Sequence, residues 1–271
     1  MRPINLLLAL LLGFASLSGE AAGLRFSLVK TAETKTLDAL TVEGDQWTQT
    51  AIANHVAVLI EHHAATLLFD TSLGRQVDSQ FASEMPWYDK QQLQYGKVNP
   101  VRDQLDRDGI RVDRILLSHV YWDHASGLAD FPEVPVWAPY AAIEFSRIAT
   151  PPAVLPSQFQ HRVKWLPYEF APEPFMSFDE SHDLFGDGSL VLVPLSGHTP
   201  GSVGLFITLD DGRRFFFSGD ASWHQVDHDH QETRAVQQVH HLLQREPTLT
   251  VVPAHDAKVH EGLGYYPNWT R

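Results

Sequence analysis

The chain has 271 residues, of which 44% are hydrophobic and 20% charged, so it can bury a sizeable core as one large domain or two small ones. Its formal net charge of −13 argues against nucleic acid and anionic membrane surfaces as partners, because both are bound through Lys and Arg. The absence of cysteine excludes disulfides and thiolate ligands, which leaves His, Asp, Glu and Tyr to hold any metal.

The first residues have the order of a secretory signal peptide. Arg2 precedes an apolar run from Leu6 to Leu12, and small residues follow as far as Gly23. The run is too short to span a bilayer comfortably, although an uncleaved anchor is the alternative. We therefore predict a signal peptide over residues 1–22, a mature domain over residues 23–271, and a periplasmic or secreted protein.

The first half of the mature chain reads as strands interrupted by helices and loops. Apolar runs bounded by turn residues predict strands over residues 24–29, 55–60, 66–70, 112–117 and 134–138. Helices are predicted over residues 100–107, with Gly109 as the stop signal, and over residues 140–147. Residues 83–98 are predicted to form a loop or lid, and the proline-rich residues 150–173 to be mostly irregular.

The second half repeats this pattern. Strands are predicted over residues 190–194, 204–209, 214–218 and 248–252, and an amphipathic helix over residues 232–244. Two runs of strands that each close with a helix are typical of stacked sheets flanked by helices.

Four short segments place His or Asp just after an apolar strand, where strand ends feed polar loops and active sites commonly lie. They are SHVYWDH (118–124), SGHTPGS (196–202), SGDAS (218–222) and PAHD (253–256). Each segment by itself has an ordinary structural explanation, such as a turn or a helix cap. Imidazole and carboxylate groups together suit Zn²⁺ and related divalent ions, and an isolated Asp at a strand end is a natural bridge between two of them.

In this order the four segments resemble the metallo-β-lactamase superfamily. Its signature is His-x-His-x-Asp-His, then a His after a strand, then a bridging Asp, then a last His. The resemblance extends over nearly the whole mature chain, from HVAVLI at residues 55–60 to PAHD. It implies an α/β fold, an αββα sandwich of two mixed β-sheets flanked by helices, with the site at one edge.

The resemblance also implies a set of metal ligands. His119 and His198 match ligands of a first metal, Asp123, His124 and His255 match ligands of a second, and Asp220 matches the bridging carboxylate. Asp70 matches a position beside the site, where a supporting role is expected. The implied cofactor is zinc, as one or two ions, with iron or manganese as alternatives.

One position departs from the family signature. Tyr121 stands where the family has its second His, and a phenol with a reference pKa near 10 coordinates Zn²⁺ poorly unless the metal displaces its proton. Tyr121 could bind as a phenolate and favour a harder metal such as iron, the first metal could bind weakly, or the site could be catalytically silent. All other ligand positions match, so we favour a working site with an altered first metal position.

The implied chemistry is hydrolysis of a small molecule by a metal-bound hydroxide, with Asp123 and Tyr121 as candidate catalytic residues. The chain is most similar to the lactonase-like branch, which includes N-acyl homoserine lactone lactonases, and this favours a lactone or ester substrate. Aromatic residues are candidates to line an acyl pocket: Trp87, Tyr88, Trp122, Trp223, Tyr265 and Tyr266.

Two other functional interpretations stay open at this point, together with the role of one further segment. A β-lactam, phosphodiester or sulfate ester could be hydrolysed at the same site, or Tyr121 could mark a metal-binding protein without catalysis. The segment WHQVDHDH at residues 223–230 is either an accessory metal site or a solvated acidic loop. The oligomeric state has no signature in the sequence.

Overall fold

The computed structural model describes residues 23–37, 50–195, 197–221 and 234–271, so the predicted signal peptide and the WHQVDHDH segment lie outside the described residues. The strands are β1 (Arg25–Leu37), β2 (Thr50–His62), β3 (Ala65–Phe69), β4 (Arg114–Leu116), β5 (Pro135–Pro139), β6 (Lys164–Tyr168), β7 (His182–Asp183), β8 (Leu190–Pro194), β9 (Val203–Thr208), β10 (Arg214–Gly219) and β11 (Thr250–Pro253). The helices are α1 (Val77–Glu84), α2 (Asp89–Gln92), α3 (Val101–Arg107), α4 (Trp122–Ala125), α5 (Tyr140–Ile148), α6 (Arg234–Arg245) and α7 (Ala257–Leu263).

The strands form two mixed sheets. The first has the order β1-β2-β3-β4-β5-β6, antiparallel from β1 to β3 and parallel from β3 to β6. The second has the order β11-β10-β9-β8-β7, in which β10 and β11 are parallel and the other pairs antiparallel. In each sheet, therefore, neighbouring parallel strands bring their carboxyl ends to the same edge.

Both sheets are buried on two faces, which explains their continuous apolar runs. Successive side chains of β2 point to opposite sides, so Val58 and Ile60 join the core between the sheets while Ala57 and Leu59 pack under helices. Helices α3 and α5 cover the first sheet through Val101, Leu105, Ala142 and Ile143. Helix α6 covers the second through Ala235, Val239 and Leu242. The predicted αββα sandwich is confirmed.

The elements differ from the sequence predictions mainly where a strand lies at an edge or a helix is short. Strand β6 lies inside the segment predicted to be irregular, and Pro167 is tolerated there because β6 is an edge strand that pairs only with β5 among the described strands. Helix α2 interrupts the predicted loop at residues 83–98, and α7 was not predicted. The N-terminus of α7 is capped by Asp256, whose carboxylate accepts hydrogen bonds from the backbone N–H groups of Lys258 and Val259.

No helix within the described ranges is long and apolar enough to cross a membrane.

Candidate metal centre

The predicted ligands converge at the edge where the strands of the two sheets end. His119 follows β4, Asp220 follows β10, His255 follows β11, and helix α4 carries Asp123 and His124. Gly219 lets two of these loops meet: its φ is +54°, and a Cβ there would lie 3.1 Å from the Ser118 Cβ. All six residues with predicted ligand roles meet in one cluster, and their role as ligands stays a prediction.

One half of the cluster has the dimensions of a tetrahedral metal site. The Nε2 atoms of His124 and His255 lie 3.4 Å apart, and they lie 3.1 and 3.2 Å from Asp220 Oδ1. Asp123 Oδ2 lies 3.7 Å from His124 Nε2 and 3.4 Å from His255 Nε2. Four ligand atoms placed about 2.0–2.1 Å from one ion are separated by about 3.4 Å in a tetrahedron. The four residues of this second position therefore fit a divalent ion such as zinc.

The other half of the cluster shares Asp220. Its Oδ2 atom lies 3.8 Å from His119 Nε2 and 3.6 Å from His198 Nε2, whereas Oδ1 faces His124 and His255. The two oxygens of one carboxylate are thus directed at two different pairs of imidazoles. This is the arrangement expected of a bridge between two ions.

Tyr121 lies beside this first position. Its ring centroid is 4.5 Å from that of His198 and 5.0 Å from that of His119. Burial, followed by the negative charges of Asp220 and Asp123, raises the pKa of the Tyr121 phenol above its usual value. With no ion bound, Tyr121 is therefore a neutral phenol beside the two imidazoles of this position.

Several buried nitrogen and oxygen atoms that have no hydrogen-bond partner among the described residues face the cluster. They include His119 Nε2, His198 Nε2 and Asp220 Oδ1, and such unsatisfied buried groups are rare in proteins. Their direction towards one another means that a cation at the cluster would satisfy all of them. The donor set of imidazoles and carboxylates fits zinc, iron or manganese alike.

Asp70 holds part of the cluster in place from behind. It has a φ of +62° and accepts hydrogen bonds from the Ser118 N–H at 2.7 Å, the Ser118 hydroxyl at 2.7 Å and His124 Nδ1 at 2.8 Å. The same Ser118 hydroxyl lies 2.9 Å from His119 Nδ1. Because the Nδ1 atoms are occupied, the Nε2 atoms of both imidazoles are left to face the cluster.

We expect Asp70→Asn to weaken metal binding by about 10- to 100-fold, the range found when partners of metal ligands are removed. Asparagine has one acceptor oxygen, so it cannot serve all three donors that now contact Asp70. Chelator competition measures the dissociation constant. Asp130→Asn is the matched control, since Asp130 is also buried and binds the Arg75 N–H away from the cluster. Equal affinities in the two variants would contradict a supporting role for Asp70.

The charges of the cluster favour protons on two imidazoles when no metal is bound. Burial works against the charged form of His124, but Asp220, Asp123 and Asp70 outweigh it and raise its pKa well above the usual value. The pKa of His255 is raised in the same way, chiefly by Asp220. Burial lowers the pKa values of His119 and His198, which are therefore neutral.

Metal binding is accordingly expected to strengthen as pH rises. His124 and His255 are protonated below their ordinary pKa and keep these protons above it, and a metal ion has to displace them. Up to two protons leave per ion, so the dissociation constant falls by at most about 100-fold per pH unit until both pKa values are passed. Chelator competition between about pH 5.5 and 8.5, with calorimetry in two buffers, measures this proton release. A dissociation constant that does not change with pH would contradict it.

An apolar cavity of about 180 Å³ opens onto the cluster. Its lining includes Leu93, Trp122, Pro152 and Ala153 beside the ligand side chains and Tyr121, and it contains no Lys or Arg among the described residues. Of the aromatic residues proposed for an acyl pocket, Trp122 lines the cavity, and Trp223 lies outside the described residues.

The remaining four aromatic residues are absent from this lining. Trp87 and Tyr88 are 74% and 54% exposed, so the proposal that they line the pocket is wrong for this structure. Tyr266 donates a hydrogen bond to Asp108 instead. Tyr265 accepts a hydrogen bond from Asn54 Nδ2 at 2.7 Å and so lies behind the site.

Two residues of β2 belong to the site and were missed in the sequence. The Asn54 carbonyl oxygen lies 2.8 Å from His255 Nδ1 and accepts a hydrogen bond from it, and His55 lines the cavity. A signal was present, because two polar residues side by side begin the apolar run HVAVLI. Their role is recognisable only after β2 is placed beside helix α4 and the loop after β11.

Comparison with known proteins agrees with this description. The family model described as the metallo-beta-lactamase superfamily matches residues 53–258. Two curated relatives, named probable metallo-hydrolases and found in Mycobacterium bovis and Mycobacterium tuberculosis, are each 31% identical over 131 residues. That alignment covers 45% of this chain and 42% of each relative, so the chain matches less than half of their length.

Solved structures share the fold at low identity. An N-acyl homoserine lactone hydrolase with the product N-hexanoyl-L-homoserine at its catalytic metal centre has a TM-score of 0.72 and 14% identity, covering 91% of this chain and 98% of its own. A Bacillus thuringiensis AiiA mutant with N-decanoyl-L-homoserine at its active site has a TM-score of 0.70 and 15% identity, with the same two coverages. The dizinc quorum-quenching lactonase AidC has a TM-score of 0.58 and 13% identity, covering 86% of this chain and 87% of its own.

Proposed function

Because the chain belongs to the metallo-β-lactamase superfamily, we propose that it is a metal-dependent hydrolase of small neutral lactones or esters. The observation that carries the proposal is the position of the His and Asp cluster, with its unsatisfied buried atoms, against an apolar cavity. The fold shared with lactone hydrolases supports the substrate class.

The metal-binding residues would be His119, His198 and Asp220 at the first position and Asp123, His124, His255 and Asp220 at the second. A divalent ion held there supplies an ionised water at neutral pH and a Lewis acid for the substrate oxygen. Asp123 lies at the cavity and can orient the attacking water or take up its proton. Asn54 and Asp70 fix the orientation of the His255 and His124 imidazoles through hydrogen bonds, and Trp122 forms part of the apolar lining beside them.

The cavity lining favours neutral substrates over the anionic alternatives. Phosphodiesters, sulfate esters and the carboxylate of β-lactams are usually bound by Arg or Lys, and the described lining contains neither. Apolar side chains beside the cluster suit the acyl or ring carbons of a lactone or ester.

The experiment is a substrate panel on metal-loaded mature protein. It compares lactones and carboxylic esters of increasing acyl length with a β-lactam, a phosphodiester and a sulfate ester. We expect kcat/KM to be highest for lactones or esters with an apolar chain. A preference for an anionic ester would overturn the substrate class. Bound metal without turnover of any substrate would support the non-catalytic alternative.

We also propose that the protein is exported, on the strength of the charged, apolar and small-residue order of residues 1–22. Expression of the full-length gene followed by fractionation and N-terminal sequencing tests this. A mature N-terminus near Gly23 in the exported fraction is the expected result, and an intact Met1 in the cytoplasmic fraction would overturn it.

A further inference from the structure

His55 is a buried imidazole at the site that no part of the family signature includes. It lies on the side of β2 that faces helix α4, it is 7% exposed, and its ring centroid is 6.2 Å from that of Trp122. Its Nδ1 atom lies 3.5 Å from Asp123 Oδ2. The ligand atoms of His55, Asp123 and His255 lie within 4.8 Å of one another, which places His55 at the second position.

His55 has the hydrogen-bonding pattern of the predicted ligands. In His119 and His255, Nδ1 is held by the Ser118 hydroxyl and the Asn54 carbonyl, and Nε2 faces the cluster. In His55 the two nitrogens exchange roles: Nε2 lies 3.0 Å from the Thr34 hydroxyl, and Nδ1 is buried with no hydrogen-bond partner in the part of the chain that the structure describes. An imidazole that is fixed through one nitrogen and open at the other is typical of a metal ligand.

We propose that His55 Nδ1 is a third imidazole ligand of the ion held by Asp123, His124 and His255. The inference rests on the proposed metal centre and adds a ligand to it. Zinc sites expand from four to five ligands, so His55 can join the four atoms already in tetrahedral spacing.

This ligand makes the two metal positions unequal. The second position then has three imidazoles, from His55, His124 and His255, whereas the first has the two of His119 and His198 with Tyr121 beside them. The first ion added to the protein is therefore expected to occupy the second position. His55 would raise the affinity of the second position for an ion, whereas Tyr121 would lower the affinity of the first.

A different role for His55 would be to donate a hydrogen bond to Asp123 and only position it. The distance of 3.5 Å lies beyond the 2.7–3.2 Å of an ordinary N–H···O bond, and an N–H bonded to a carboxylate is usually shorter still. A distance of 3.5 Å between His55 Nδ1 and Asp123 Oδ2 is close to the separation of about 3.4 Å between two ligands of one ion, so it is better explained by two ligands than by a hydrogen bond.

The test uses His55→Leu, which keeps an apolar side chain of moderate size and removes both nitrogens. His260→Leu is the matched control: His260 is 0% exposed and bonds the Pro253 carbonyl, with no cluster carboxylate in contact. The wild-type and variant proteins, each comprising residues 23–271, are loaded with one equivalent of Zn²⁺ or Co²⁺. X-ray absorption counts the imidazoles per ion, Co²⁺ absorption reports the coordination number, and chelator competition gives the dissociation constant.

We expect three imidazoles in the wild type and in His260→Leu, and two in His55→Leu. Affinity in His55→Leu is expected to fall by at least about 100-fold, the upper end of the loss caused by removing a mere supporting partner. Weaker binding with an unchanged imidazole count would show a positioning role and overturn the proposal, as would unchanged binding. A wild type that binds no metal would instead refute the proposed function.

Discussion

Replacing His124 with alanine is expected to lower kcat/KM by at least about a thousandfold, which corresponds to about 4 kcal/mol of transition-state stabilisation. His124 is the centre of the second position, where its Nε2 atom faces Asp220, Asp123 and His255 within 3.7 Å. Without this imidazole the second position loses the ligand atom that lies nearest to Asp220 Oδ1, at 3.1 Å, and the ion is held much more weakly. Loss of bound metal, measured by elemental analysis, is expected to accompany the loss of activity.

His255→Ala is expected to have the same effect on metal content and kcat/KM, since His255 contacts the same two carboxylates. His182→Ala serves as the control, because His182 packs against Trp137 and Tyr168 rather than against the cluster. Circular dichroism establishes that each variant is folded, because removing an imidazole leaves buried carboxylates without a partner. Full activity in either His124→Ala or His255→Ala would rule out the site.

Replacing Tyr121 with histidine is expected to raise the metal content from one to two ions per chain. An imidazole at this place completes the first position with a ligand that is already neutral, whereas a phenol with a reference pKa near 10 has to lose its proton before it coordinates an ion. Elemental analysis of protein purified without added metal gives the count, and titration with Zn²⁺ gives the affinity of the second equivalent.

Tyr121→Phe is the matched control for this substitution. It keeps the aromatic ring against His198 and removes only the hydroxyl, so the metal content is expected to stay at one. A fall from two ions to one in Tyr121→Phe would instead identify Tyr121 as a phenolate ligand. A metal content that does not rise in Tyr121→His would mean that the first position is not impaired by the tyrosine.

The order of elements could be predicted because it depends on local patterns. The apolar runs of β2, β3, β8, β9 and β10 are bounded by turn residues, and α3 and α5 follow helical spacing and are directly preceded by Pro100 and Pro139. Strand β6 could not be predicted, because KWLPY has no strict alternation and is extended only by pairing with β5. Strand β7, which has only the two residues His182–Asp183, likewise is extended because it pairs with β8.

The ligand segments were found in the sequence because each follows a strand at the same edge and keeps the order of a family signature. That signature names His119, Asp123, His124, His198, Asp220 and His255, but it says nothing about distances or about residues from other strands. The order of residues could not predict which imidazoles each carboxylate oxygen faces. The division of Asp220 between two pairs of imidazoles is a property of the folded cluster.

The sequence by itself thus determined the family, the two-sheet fold and the principal candidate ligands, because strand ends, apolar runs and a spaced signature are local along the chain. The tertiary structure alone decided what surrounds them. Asn54 and His55 are remote in sequence from Asp123 and His255, and they reach the site because β2 runs antiparallel to β3 and brings its first half to the edge where β3 ends. Contacts between residues that are far apart in sequence form only when the sheet is assembled, so no local pattern could predict them.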